Sequence, residues 1–334
     1  MTEAARADRV TIRDVARAAD VSHQTVSRFL KYQGAGMKPA TLERIRSAVA
    51  ELDYRPSLVA QAMRGRRTGR LALVLPSGNA ISSLEVLNGA TDAARQQGYD
   101  VEVVLLGGDD SERDQRLRAI AESTLFEGVL CLTPVPAETW TSAAVPVMVS
   151  PDYDAEMRGI GPLADASRIG DFLDRLAELG HRDVLHVSGD YRHTSARSRR
   201  DEFIASARRL GLTYRVVDGD WSGEVGRRAV LALPEDSGPT AIVAANDVVA
   251  AGAARGALER GWLVPGRLSL TGWDEHLLGE WLSPRLTTVA IDHVRLGTRA
   301  MDSLVAAVRG TEHVPDPEPI TRIVWRDSVG PPPW

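Results

Sequence analysis

Within VSHQTVSRFL, residues 21–30, three side chains suited to reading hydrogen-bonding edges stand beside a compact apolar stripe. Gln24 can pair bidentately with adenine, Arg28 can fork onto guanine, and His23 can donate to or accept from either kind of edge. Thr25 and Ser27 carry hydroxyls of the kind that contact phosphates. Val26, Phe29 and Leu30 recur at helical spacing, so a helix that turns them inward carries His23, Gln24 and Arg28 outward. Such a layout suits a helix that enters the major groove. On spacing alone, a merely solvated polar face accounts for it equally well.

The elements that would hold this helix are legible on both sides. Thr11 with Asp14 forms a capping-box pattern ahead of IRDVARAA, in which Ile12, Val15, Ala16 and Ala19 share one face. Ser22 can cap the next helix, with only Asp20 and Val21 between the two. A third helix opens near Pro39 and carries Leu42, Ile45, Val49 and Leu52. Two short helices across a tight turn make a helix-turn-helix, with the start of the second helix near base edges. Charge agrees with this placement. Residues 1–69 hold 13 Lys and Arg against 7 Asp and Glu, a net of +6, whereas the remaining 265 hold 27 against 38, a net of −11. The overall charge of −5 therefore conceals a basic module for a polyanion joined to an acidic body.

After Tyr54, RPSLVAQAMRGRRTG reads as a linker: Pro56 stops the preceding helix, and Arg64, Arg66 and Arg67 crowd together. From residue 70, short apolar strands alternate with amphipathic helices, the pattern of parallel doubly wound sheets, and the units suffice for two sheets. A second lobe is expected from about residue 162. Asn246 and Asp247 follow one such strand and Asp274 another. Open α/β sheets bind ligands at those ends, although capping a helix or loop would use the same residue types. Cys131 is the single cysteine and sits in GVLCL, so it reads as a buried structural thiol, with no internal disulfide and no metal cluster. No run approaches 18 apolar residues, and MTEAARADRV has no apolar signal region. A cytoplasmic protein is expected.

VTIRDVARAADVSHQTVSRFL and KPATLERIRSAVAELDYRPSLVAQAMRG resemble, almost position by position, the N-terminal module of the lactose-repressor (LacI/GalR) family of bacterial transcription regulators. The similarity runs from about Val10 to Trp325. It implies an α/β chain with an N-terminal three-helix helix-turn-helix DNA-binding domain at 1–55 and a hinge helix or linker at 56–69. A two-lobed, periplasmic-binding-protein-like body of doubly wound parallel sheets would follow. Its lobes would be 70–161 plus about 292–319, and 162–291 plus about 320–334. The resemblance gives His23 and Gln24 the choice of operator sequence, with Arg28 supporting base reading. Thr11, Ser22 and Tyr54 join the expected DNA-contacting set, as do Ser57 and Arg64 of the hinge. In the family a leucine from each of two subunits wedges into the central minor groove. Met63 stands there in this chain, an apolar but more flexible wedge. Asp20 occupies a turn position where relatives commonly carry glycine, which Asp tolerates. Lys38 replaces the usual hydroxyl cap of the third helix.

The same resemblance places an effector between the two lobes. SARSRRDEF matches the segment whose arginine, here Arg199, forks onto the ligand, and a planar guanidinium suits vicinal hydroxyls. AANDVVAAGA supplies Asn246 and Asp247, and LTGWDEH supplies Asp274. Trp221 in GDWS, which resembles galactoside-responsive members, offers a face for a sugar ring. In the first lobe, PSGNAISSLEV departs from the aromatic pair of many relatives and leaves Ser77, Asn79 and Ser82 instead; Asp152 is a further candidate. The expectation is a repressor of carbohydrate-utilisation genes, controlled by a small sugar and bound as a homodimer to a palindromic double-stranded operator. No cofactor, metal or enzymatic activity is expected. The C-terminal VWRDSVGPPPW lacks a heptad, which favours a dimer over a tetramer. A glycosidase with Asp247 and Asp274 as paired carboxylates, or a cytoplasmic sugar-binding protein, is the alternative. Neither accounts for a helix-turn-helix.

Overall fold

The computed structural model describes residues 10–32, 34–54, 68–76, 81–136, 139, 143–154 and 157–333. The chain divides into two units, Met1–Thr68 and Gly69–Trp334. In the first unit, α1 (Ile12–Ala18), α2 (His23–Tyr32) and α3 (Pro39–Glu51) close around Val15, Ala19, Val26, Ile45, Ala48 and Tyr54. Phe29 and Leu30 pack against that core, so the stripe on α2 does face inward. The Asp14 carboxylate accepts from the Thr11 amide at 2.9 Å and the Thr11 hydroxyl at 2.6 Å, completing the capping box at the start of α1. Asp20 turns the chain toward α2 at φ +50°, in the left-handed region that Asp enters more readily than most residues. Lys38 makes no side-chain cap, and Pro39 begins α3 where its missing N–H costs nothing.

The second unit holds two four-stranded parallel sheets. β1 (Arg70–Pro76), β2 (Asp100–Leu106), β3 (Gly128–Cys131) and β4 (Val147–Val149) run in the order β2-β1-β3-β4, with α4 (Ile81–Gln96) and α5 (Asp110–Ala121) as crossovers. After α6 (Ser167–Glu178), β5 (Asp183–Val187), β6 (Thr213–Val217), β7 (Ala241–Ala244) and β8 (Ser269–Thr271) repeat that order as β6-β5-β7-β8. Their crossovers are α7 (Thr194–Arg209), α8 (Gly223–Leu231) and α9 (Asp247–Glu259). β3 and β7 are buried along their whole length, as strands covered on both faces must be. Cys131 lies in β3 fully buried, and burial pushes its thiol up to about 12, leaving it inert. Among the described residues no helix is long and apolar enough to cross a membrane.

The chain returns to the first sheet after the strands of both sheets are in place. After β9 (Thr288–Ile291), whose Val289 joins the core of the second sheet, α10 (His293–Arg309) returns to the first sheet and packs on Leu71, Leu73 and Leu130. β10 (Thr321–Val324) then comes back to pair antiparallel with β9. Segments joining the two cores thus run between β4 and Ala166, at 291–293, and at 310–320. Helix α10 reaches the first core by backbone-close packing against α4. A Cβ at Gly297 would fall 1.9 Å from the Val86 carbonyl oxygen, and one at Gly89 would fall 1.9 Å from that of Val294. We expect Gly297→Ala to destabilise the body by about 1–3 kcal/mol through overpacking. Urea denaturation followed by circular dichroism measures this, and an unchanged midpoint would contradict the packing account.

Candidate functional site

On the first unit, α2 carries the residues expected to read base edges. His23, Gln24 and Arg28 are exposed, while Thr25 and Ser27 are half-buried at its edge. The Ser22 hydroxyl accepts the Thr25 amide at 3.2 Å and meets the Thr25 hydroxyl at 2.9 Å, so it caps the helix as well as lying next to the reading residues. Thr11 is exposed, with its hydroxyl engaged by Asp14. Tyr54 differs from the rest of the set: only 7% exposed, its ring belongs to the core of the unit. Ser57, Met63 and Arg64 of the hinge, with Arg66 and Arg67, lie outside the described residues.

In the second unit, the strand order reverses between β1 and β3 and again between β5 and β7, and such switch points open crevices at the carboxyl ends of the strands. A cleft of about 850 Å³ is found there. One wall carries Glu85 from α4, Tyr153, Leu163 and His293. Opposite stand Ser195 and Arg199 from α7, the run Asp274–Leu277 after β8, Glu280 and Arg326. Burial lowers the His293 pKa, with Glu85 and Asp292 opposing that shift, and raises the Tyr153 pKa.

Arg199 is the most constrained of these groups. Its side chain is 6% exposed, its Nη1 donates to the Ala245 carbonyl at 2.6 Å, and its guanidinium lies 4.1 Å from the centre of the Trp273 ring. Burial lowers its pKa to about 10, so it stays charged near neutrality. Its Nη2 stands 3.9 Å from Asp274 Oδ1, too far for a hydrogen bond. Asp274 keeps 44% of its side chain accessible, and the surrounding protein raises its pKa while Arg199 opposes the rise. The backbone of Asp274 is held at φ +100° and that of Glu275 at +47°. Donor and acceptor both line the cleft, where ligand oxygens can reach the two of them from the open side. Arg326 is saturated by comparison: it pairs with Glu275 at 2.9 Å and donates to the Leu286 carbonyl at 3.0 Å.

Of the five effector residues expected in this lobe, Arg199 and Asp274 line the cleft; the other three stand behind or beside it. Asn246 Oδ1 accepts the Val249 amide at 2.9 Å and caps α9. Asp247, 4% exposed, accepts the Thr288 hydroxyl at 2.6 Å and the His276 amide at 2.7 Å. Trp221 adopts φ +68° and lies against Gly189, where a Cβ would come within 2.5 Å of the ring. That ring is 5.8 Å from the Arg199 guanidinium and edge-on to His193. Asp152 is buried away from the cleft lining. Ser77 and Asn79 lie outside the described residues, as does the side chain of Ser82. Sequence reasoning missed Glu275 and His276, although both sit in the same WDEH run as Asp274. Glu85, Tyr153, His293 and Arg326 come from four distant segments, and no local pattern singles them out.

Two family models match the chain. Residues 11–57 match bacterial regulatory proteins of the lacI family, and residues 173–329 match a periplasmic binding protein-like domain. Catabolite control protein A of Priestia megaterium is 28% identical over 304 residues, covering 87% of this chain and 90% of its own length. The ribose operon repressor of Haemophilus influenzae is 26% identical, covering 90% and 92%. Among solved structures, the lac repressor dimer bound to operator and the anti-inducer ONPF superposes with a TM-score of 0.75 at 25% identity, covering 96% of this chain and 99% of that one.

Burial, reinforced by the nearby Asp274 charge, pushes the Asp247 carboxyl up to about 7 in spite of its hydrogen bonds. In an unfolded chain an aspartate titrates near 3.9. Between those values the folded state binds the extra proton, so the contribution of this group to stability falls as pH rises from about 4 to about 7. Urea denaturation at intervals across that range should give a slope that flattens in Asp247→Asn; an unaltered slope would contradict it.

Proposed function

The chain belongs to the lacI family of bacterial regulatory proteins, and from that membership we propose that it is a homodimeric, sugar-responsive repressor of carbohydrate-utilisation genes. The exposed start of α2 reads base edges through His23, Gln24 and Arg28. One such helix spans too few base pairs for a selective site, so two copies act on a two-fold symmetric operator. The effector occupies the cleft between a lobe of residues 70–161 plus about 292–319 and a lobe of 162–291 plus about 320–334. A difference in effector affinity between lobe arrangements would supply the control, with a coupling of about 1–3 kcal/mol per site.

The observation that carries the sugar reading is that Arg199 and Asp274 stand together on the cleft lining, 3.9 Å apart, without a hydrogen bond between them. A planar fork of donors opposite a carboxylate acceptor suits neighbouring hydroxyls, which both donate and accept. The pair is neutral as a whole, so a neutral polyol enters without stranding a charge. Trp221 stands beside Arg199, 5.8 Å from its guanidinium and outside the cleft lining, so it supports the arginine rather than a sugar ring.

Two experiments distinguish these assignments from their rivals. Selection from randomised duplex DNA at one near-physiological salt concentration should yield a two-fold symmetric consensus, and Gln24→Ala should relax one base pair per half-site at a cost of about 1–3 kcal/mol. A consensus without symmetry would contradict the dimer. Calorimetry against a panel of sugars should find a ligand whose affinity falls by about 1.5–3 kcal/mol in Arg199→Lys, which keeps the charge and loses the fork. Binding of purines or amino acids with no sugar bound would overturn the sugar assignment.

A further inference from the structure

Asp247 follows a strand end, as a residue in direct contact with an effector would, yet its carboxylate is buried behind the cleft wall and both oxygens are engaged within the protein. We propose that Asp247 is a positioning residue, a clip that holds the segment carrying Asp274 and His276 in its ligand-ready shape without touching the ligand. The proposal rests on the reading of this cleft as the effector site.

The clip joins three elements. Oδ1 accepts from Thr288 at the start of β9, Oδ2 accepts the His276 amide at 2.7 Å, and the Asp247 amide, at the start of α9, donates to the Trp273 carbonyl at 2.9 Å. Backbone bonds from Gly272 to Thr287 and from Asp274 to Val289, both 2.9 Å, tie the same segment to β9. Gly272 leaves the room this needs, because a Cβ there would fall 2.1 Å from Asp247 Oδ1. Between the anchored positions 273 and 276 lie Asp274 and Glu275, two consecutive non-glycine residues at positive φ. Such backbone persists only where its surroundings over-determine it. Without the carboxylate, the His276 amide loses its acceptor and the strained pair is free to relax, carrying Asp274 away from Arg199.

Chemistry separates positioning from contact. A side-chain amide at 247 can accept from the His276 amide through its oxygen and donate to the Thr288 hydroxyl through its nitrogen, because a hydroxyl accepts as readily as it donates. Asp247→Asn therefore keeps the clip, and Asp247→Ala removes it.

The test is hydrogen exchange of the full chain by mass spectrometry at one pH, paired with calorimetry against galactosides and cellobiose. In Asp247→Ala, peptides spanning 274–281 should exchange at least about fivefold faster and the affinity for the sugar bound by the unsubstituted protein should fall by about tenfold, while Asp247→Asn stays within about threefold of it in both. If Asp247→Ala does not fold, Thr288→Val removes the hydroxyl that donates to Asp247 Oδ1 and accepts the Glu275 amide at 3.4 Å, and should accelerate the same peptides. Unchanged local exchange in a folded Asp247→Ala would overturn the clip. Lost sugar affinity in Asp247→Asn with normal exchange would make Asp247 a direct contact, which also overturns it. If no sugar binds the unsubstituted protein, the sugar reading fails while the exchange arm still decides the role of Asp247.

Discussion

A guanidinium that is 6% exposed has to be balanced by its surroundings, and much of the second lobe is arranged around that of Arg199. Removing a cation from water is costly unless neighbouring dipoles and charges replace its hydration. Here the replacements are the Ala245 carbonyl beyond the end of β7, the face of Trp273 beyond β8, and Asp274 at a distance. They follow two adjacent strand ends, so the strand order that brings β7 between β5 and β8 is what assembles the site. Trp273 is fully buried in the core with Phe172 and Phe203, and the platform under the guanidinium is accordingly as rigid as the core. The compensation remains incomplete toward Asp274, and that side opens on the cleft.

An incompletely compensated pair gives a ligand something to do. Ligand oxygens that reach both Arg199 and Asp274 from the cleft would complete hydrogen bonds that the pair does not make with each other, which makes binding depend on the relative position of the two groups. Arg199 is held by α7 and Asp274 by a strained backbone segment, so small rearrangements of that segment change the gap. Across the cleft, Glu85 belongs to α4 of the first core, and Tyr153, Leu163 and His293 belong to the segments that connect the two cores. If an effector bridged both walls, as proposed, it would favour one arrangement of the two sheets over others, and that difference in affinity is all the driving force a conformational response can have.

Much of this is legible in the sequence, for identifiable reasons. The capping residues Thr11 and Ser22, the stripe Val26, Phe29 and Leu30, and the β-α alternation after residue 70 are local signals, and local periodicity is what a sequence displays most directly. Arg199 and Asp274 are legible because short motifs at strand ends carry them. For Asp247 the sequence indicates the strand end but not where its carboxylate faces, since nothing local distinguishes one open to a cleft from one that faces Thr288, 41 positions away. Tyr54 shows the same limit, because a tyrosine that closes a module and one that contacts a phosphate look alike until burial is known. The remaining lining residues, Glu85, Tyr153, His293 and Arg326, come from four distant segments and have no one-dimensional trace.

The DNA-reading and ligand-reading parts are, on this account, separate in chemistry and joined in function. Fluorescence anisotropy of a labelled operator duplex, titrated with the sugar found by calorimetry, tests that claim directly in Asp274→Ala. The account predicts operator affinity within about twofold of the unsubstituted protein and no response to the sugar, because the substitution lies in the ligand-reading unit and removes a group the ligand needs. Retention of the full sugar response in Asp274→Ala would contradict the account.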